Sequence, residues 1–272
     1  MGIYRVNMKY ISLCSGSKGN CSLILEQDTI VMIDCGANQK YIKEKLDEIG
    51  MTLDRIDAVF VTHDHQDHIR GLRLCKDIPW FGCADVPGIR TIEKLTEYPI
   101  KQLRIIAIPL SHDTENTVGY VVFSDKEKLV YITDTGYVPK RLSSLIQNAE
   151  YYFIESNHDV EMLMKTDRPQ YIKARIYCDR GHLCNEDCAN ALAQLVGPST
   201  REITLAHLSE QANDPKLAYQ VVFDRLKDHP LCTDVIIQVA KQFEVCIGGN
   251  VDEKSLDSAA DTDDLLECVL NV

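Results

Sequence analysis

The segment THDHQDH at 62–68 decides how the rest of the chain is read. It puts His63, His65 and His68, three of the chain's eight histidines, within six positions, and Asp67 directly precedes the last. A structural imidazole is satisfied by one hydrogen bond, so packing gives no reason to gather three of them and a carboxylate on one short loop. Metal chemistry does: imidazole suits zinc, manganese and iron, and a carboxylate adds charge for a second ion. The apolar run AVFV at 58–61 reads as a buried strand that runs straight into this loop. The imidazoles are therefore expected at a strand's C-terminal end.

Upstream, apolar stretches at 10–14, 22–26 and 29–33 alternate with Gly, Ser, Asn and Asp and predict a β-meander. Tyr41, Ile42, Leu46 and Ile49 recur at helical spacing, with Gly50 as the stop. Downstream, strands are predicted at 105–109, 119–124, 129–133, 151–154 and 203–206, and near 235–239 and 243–247. Helices are predicted near 139–147, at 185–196 and at 215–227. The 185–196 helix takes Asn185 as its N-cap, Glu186 and Asp187 in its first turn and Gly197-Pro198 as its stop. The pattern is one α/β domain over 1–250 with no linker. The remaining 251–272 is acidic and lacks aromatics, as expected of a disordered tail or one short terminal helix.

Hydrophobic residues at 45% and charged residues at 26% are the proportions of a folded soluble protein rather than a disordered or membrane-embedded one. No run approaches the ~18 apolar residues of a membrane helix, and the first residues do not read as an export signal, so a cytoplasmic protein without a membrane partner is expected. Eleven scattered cysteines then read as reduced, mostly buried thiols. Cys184 and Cys188 are four apart, but no second pair completes a structural zinc site. A net charge of −12 argues against a broad nucleic-acid surface while leaving room for a local basic one. Lys165, Arg168, Lys173, Arg175 and Arg180 outnumber Asp167 and Asp179 ahead of His182, and either meet phosphates or form a solvated helix face.

Three further residues carry metal-binding chemistry. His112 lies in PLSHDTENTVGY, Asp134 in VYITDTG and His207 in ITLAHLS, each after a predicted strand. Singly, each reads equally as a turn or capping residue. Strand ends of a layered α/β fold converge on one edge, however, and the shared placement joins them to the 62–68 loop.

The order HxHxDH, distant His, Asp, final His resembles the metallo-β-lactamase superfamily. LCSGSKGNCSLI, ESNHD, RGHLCN and LAHLSEQAND are similar to its YycJ/WalJ-like branch, over nearly all of 8–250. Members of that branch are regarded as nucleases related in fold to ribonuclease Z. The resemblance implies a four-layer αβ/βα sandwich of two mixed β-sheets flanked by helices. It also implies two divalent metal ions, Zn2+ or Mn2+ with Fe2+ admitted. His63, His65 and His112 would hold one ion and Asp67, His68 and His207 the other, with Asp134 and a hydroxide between them.

The implied activity is that of a metal-dependent phosphodiesterase on DNA, acting as an exonuclease. Asp67 and His182 are the candidate catalytic residues, His182 as proton donor or phosphate ligand. Ser17 and Asn20 of the SGSKGN loop, Asn157, Arg175 and His182 are the candidate substrate contacts. Cys184 stands where many relatives carry a small hydroxyl residue, and SEQAND replaces a more typical acidic, asparagine-rich continuation. Fold and ligands do not by themselves select the substrate. Hydrolysis of a small thioester, lactone or cyclic nucleotide, or a non-catalytic metal-bound sensor or interaction module, are the alternatives.

Overall fold

A computed structural model describes residues 8–231 and 234–249; the expected acidic tail at 251–272 lies outside them. The expected meander forms as β1 (Lys9–Cys14), β2 (Cys21–Glu26) and β3 (Thr29–Ile33), followed by α1 (Gln39–Glu48) and β4 (Ala58–Val61). α2 (Gln66–Ile69), β5 (Trp80–Gly82), β6 (Ile89–Thr91), β7 (Glu97–Ile100), β8 (Leu103–Pro109), β9 (Val118–Phe123) and β10 (Lys128–Ile132) come next. The second half runs α3 (Ser143–Ile146), β11 (Tyr151–Glu155), α4 (Val160–Lys165), α5 (Gln170–Tyr177), α6 (Asn185–Leu195), β12 (Glu202–Ala206), α7 (Pro215–Leu226), β13 (Ile236–Val239) and β14 (Cys246–Gly248).

The strands form two seven-stranded mixed sheets, ordered β14-β1-β2-β3-β4-β5-β6 and β13-β12-β11-β10-β9-β8-β7. Each is antiparallel at one end and parallel at the other. β3 through β6 pair in parallel in the first sheet, β10 through β13 in the second. Alternating side chains build three cores. Ile24 of β2 with Phe60 of β4 meets Tyr120, Tyr131 and Phe153 of the other sheet, while Leu23 and Leu25 face Ile42 and Leu46 of α1. Val130 and Ile132 of β10 face Leu192 of α6 and Val222 of α7. This is a four-layer αβ/βα sandwich, and each fully buried large apolar side chain contributes ~1.5–3 kcal/mol.

Several expectations need correction. Residues 139–147 form a 3-10 turn at Lys140–Leu142 running into the short α3. β5 and the edge strands β6 and β7 are only three or four residues long, too short for a periodic pattern, and α4 and α5 lie where a charged stretch hid the helical signal. Cys184, not Asn185, is the N-cap of α6, and it makes no side-chain capping bond. The Asn185 side chain instead turns inward, accepting from Ser156 Oγ at 2.7 Å and donating to Asn213 Oδ1 at 2.9 Å.

Candidate metal centre

Strands from both sheets end at one edge, and three of those ends carry a non-glycine residue in the left-handed region: Asp34 after β3 (φ 58°), Asp134 after β10 (φ 56°) and His207 after β12 (φ 53°). Such conformations cost energy and persist where the surroundings enforce them, commonly at functional sites. The two sheets are tied together here. The Tyr120 hydroxyl donates to the Val61 carbonyl and Val118 N donates to the Thr62 carbonyl at 3.0 Å, and within the second sheet Gly136 N donates to the Ser111 carbonyl at 2.9 Å.

The 62–68 loop is shaped from behind by Asp34, which the sequence reading overlooked. Its buried carboxylate accepts from Thr62 N and Thr62 Oγ1, both at 2.8 Å, and from His68 Nδ1 at 2.7 Å. The single Thr62 hydroxyl proton therefore goes to Asp34, so His63 Nδ1, 3.0 Å away, must donate to that hydroxyl. His112 Nδ1 donates to the Gly181 carbonyl at 3.0 Å, and His207 Nδ1 to Glu155 Oε1 at 2.9 Å. With Nδ1 engaged in His63, His68, His112 and His207, the neutral form of each of these rings carries its lone pair on Nε2.

These Nε2 atoms are the test of whether the residues suit metal ions. The Nε2 atoms of His63, His112 and His207 and Oδ2 of Asp134 are buried with no hydrogen-bond partner. Donor atoms of His63, His65 and His112 lie within 4.8 Å of one another, as do those of Asp67, His68 and His207. Asp134 stands between the sets, Oδ2 3.2 Å from His68 Nε2 and Oδ1 3.9 Å from His112 Nε2. Unpartnered lone pairs converging beside carboxylates are costly unless cations satisfy them, so the donor set fits divalent metal ions.

Electrostatics agree. Burial, helped by the neighbouring His68, pushes His63 well below the usual imidazole range, and burial also lowers His112. Both are neutral, as ligands must be. Burial works to raise Asp134, but the charges of His207 and His68 win and hold it well below the carboxylate range. Burial likewise opposes protonation of His207, yet Asp134, Asp67 and Glu155 push it up to about 10. The carboxylates thus create a field that demands positive charge at this spot.

Glu155, at the end of β11, is the second residue that sequence reasoning left without a role. Completely buried, it accepts from His182 Nδ1 at 2.7 Å and His207 Nδ1 through Oε1, and from Thr135 N at 2.8 Å through Oε2. Burial would raise it, but His182 and then His207 hold it down at about 2. His182 is thereby fixed beside the cluster, its ring 5.0 Å from that of His112 and 5.2 Å from that of His207, with 22% of its side chain exposed. The common pattern of strand, Asp, any residue, Gly in MIDCG and YITDTG was the signal for Asp34; Glu155 had its strand-end position and its place at the head of ESNHD.

The expected substrate contacts separate into two groups. Asn20 is buried, and its amide nitrogen lies 3.0 Å from both the Gly16 carbonyl and His68 Nε2; Asn157 is buried and donates to the His207 carbonyl at 2.8 Å. Both brace ligand loops rather than face outward. Ser15 does the same, its hydroxyl accepting from His207 N at 2.8 Å, so the SGSKGN loop is mainly a support. Ser17 is exposed at its tip, and Arg175 is exposed and ion-paired with Asp113. The basic stretch thins: Lys165 pairs with Glu161, Arg175 with Asp113, and buried Lys173 donates to the Met164 carbonyl, leaving Arg168 and Arg180.

Comparison with known proteins gives this geometry a context. Residues 15–82 match the metallo-beta-lactamase superfamily profile and residues 79–207 a beta-lactamase superfamily domain profile. The chain is 31% identical over 252 residues to exodeoxyribonuclease WalJ of Streptococcus pneumoniae serotype 2, covering 86% of this chain and 94% of that one. It is also 31% identical over 239 residues to exodeoxyribonuclease YycJ of Bacillus anthracis, covering 82% and 90%. Among solved structures, the metallo-beta-lactamase fold protein YhfI from Bacillus subtilis superposes with a TM-score of 0.66 at 14% identity, over 89% of this chain and 100% of that one. The short form of human tRNase Z gives 0.60 at 15%, over 88% and 98%. A shared sandwich with imidazoles and carboxylates gathered at its strand ends, and near-full-length similarity to WalJ and YycJ, put this chain in the metallo-β-lactamase superfamily, alongside those two proteins.

Proposed function

We propose that the protein is a metal-dependent exodeoxyribonuclease working in the cytoplasm. The observation that carries this reading is the set of buried, unpartnered Nε2 atoms of His63, His112 and His207 gathered beside Asp67 and Asp134, in a chain similar over most of its length to two exodeoxyribonucleases. His63, His65 and His112 hold one divalent ion, Asp67, His68 and His207 a second, and Asp134 serves both. Zn2+ and Mn2+ suit these donors, and Fe2+ is admitted. When bound, such ions acidify water and offset the charge that develops on phosphoryl oxygens.

The chain's own groups do the rest. Asp34 and Glu155 lock the imidazoles in the tautomer that turns Nε2 inward. Asp67, with Oδ2 3.6 Å from His68 Nε2 and 3.9 Å from His207 Nε2, is a largely buried carboxylate that would orient the water. His182 gives Nδ1 to Glu155 and keeps its other nitrogen for the leaving oxygen. Arg175 and Ser17 meet the substrate phosphates.

The test is degradation of end-labelled single- and double-stranded DNA by the purified protein loaded with Mn2+ or Zn2+. Stepwise shortening from an end is expected. Intact nucleic acids alongside turnover of a thioester, lactone or cyclic nucleotide would overturn the nuclease reading, and no turnover of any of these would favour a sensor.

A further inference from the structure

Tyr171 is 72% exposed, the most exposed large hydrophobic side chain among the described residues, in a chain whose Tyr10, Tyr120, Tyr131, Tyr151 and Tyr152 are all buried. It sits on α5 four residues before Arg175, so the two share a helix face. Arg175 is clamped to Asp113, whose free Oδ1 lies 3.3 Å from His112 Nε2 and 3.4 Å from His65 Nε2. One helical turn and one ion pair therefore separate an exposed aromatic ring from the metal centre.

The platform is held firmly. His182 N donates to the Ile176 carbonyl at 2.8 Å, and a Cβ on Gly181 would collide with the Ile176 and Arg175 carbonyls, so only glycine lets the His182 loop lie against the end of α5. Two more guanidiniums bracket the helix, each bonded to a loop of the centre through Nε: Arg168 to Gln211 Oε1 at 3.0 Å and Arg180 to the His112 carbonyl at 3.1 Å. Their terminal nitrogens remain available for phosphates. On a chain of net charge −12, Arg168 and Arg180, bonded to neutral groups on either side of α5 in the chain, with Arg175 sharing its charge with Asp113, make a local basic stretch complementary to an anionic polymer with flat bases.

We infer that Tyr171 is a base-stacking subsite for a single-stranded nucleic-acid end, with Arg175 on the adjoining phosphate and Arg168 and Arg180 along the strand. The subsite rests on the nuclease reading. Stacking on aromatic rings is tolerant of sequence, which suits an enzyme that must shorten any strand, and its loss weakens binding about tenfold per base.

The experiment uses the full chain loaded with Mn2+ and a fluorescent oligonucleotide whose end carries nuclease-resistant phosphorothioate linkages, with affinity read by anisotropy. Tyr171→Ala is expected to raise Kd about tenfold and Tyr171→Phe to leave it near wild type. Replacing one terminal base by an abasic site should weaken wild type by a similar factor and leave Tyr171→Ala unaffected at that position. Equal sensitivity of both proteins to abasic sites at every position would overturn the stacking subsite, as would absence of binding by wild type. Failure of wild type to cleave an unmodified oligonucleotide that it binds would overturn the nuclease reading alone.

Discussion

Side chains that touch no substrate decide what the ligands of this protein can do. Asp34 is the clearest case: its carboxylate organises Thr62, and through it His63, while gripping His68 directly. Asp34→Asn preserves the size but removes one acceptor, and metal affinity is expected to fall 10–100-fold, as is common for partners behind metal-bound histidines. Competition with a chelator measures it, and unchanged affinity would remove Asp34 from this role. His158 offers a second residue-level prediction. Both its ring nitrogens are buried without partners, and burial, the largest influence, pushes it down to about 4. The unfolded chain takes up this proton near pH 6.5 and the folded one only near 4, so acidification through that window favours unfolding. Stability is full above about 6.5 and declines towards 4, with His158 contributing on the order of 2–3 kcal/mol of the loss. Urea unfolding of wild type and His158→Phe at pH 7.5 and 4.5 should show a smaller acid loss in the variant; equal losses would refute the assignment.

Among the elements, the decisive contact is that of the turn after β3 with the 62–68 loop. A Cβ on Gly36 would overlap the Asp67 carbonyl, and Gly36 N also donates to the Asn20 carbonyl at 2.8 Å. Gly36→Ala must therefore displace the backbone of Asp67 and His68. Overpacking of this kind costs about 1–3 kcal/mol, and a lower melting temperature with reduced metal content is the expected result. A variant that melts and binds metal like wild type would show that the loop yields freely. At this scale the sequence was informative where strands were long. β3 and β4 match their expected limits, whereas the short strands β5 to β7 were invisible because three or four residues cannot display a period. α4 and α5 were hidden for another reason: their charged residues look like a solvated stretch, although Asp159 Oδ1 caps α4 by accepting from Met162 N at 2.7 Å.

For the whole molecule, an acidic surface and a small basic mouth must coexist. Three arginines that displace counterions from a single strand imply a log–log salt slope near −2, so oligonucleotide affinity should fall about 15- to 20-fold between 50 and 200 mM salt. Anisotropy titrations measure the slope; salt-independent binding would disconnect the arginine cluster from the substrate, and Arg168→Ala should lower the slope by about 0.7. No helix among the described residues is long and apolar enough to cross a membrane. The chain by itself determined the alternation of strands and helices and the gathering of His63, His65, Asp67 and His68 on one loop, because strand periodicity and donor chemistry are local properties. The sandwich and the further candidate donors His112, Asp134 and His207 followed from a family resemblance. Only the tertiary structure decided which nitrogen of each ring faces inward, that Asn20 and Asn157 are braces, and that Asp34 and Glu155 stand behind the ligands. Those outcomes depend on which strand ends meet: parallel pairing of β3 with β4 brings Asp34 to His68, and parallel pairing of β11 with β12 brings Glu155 to His207.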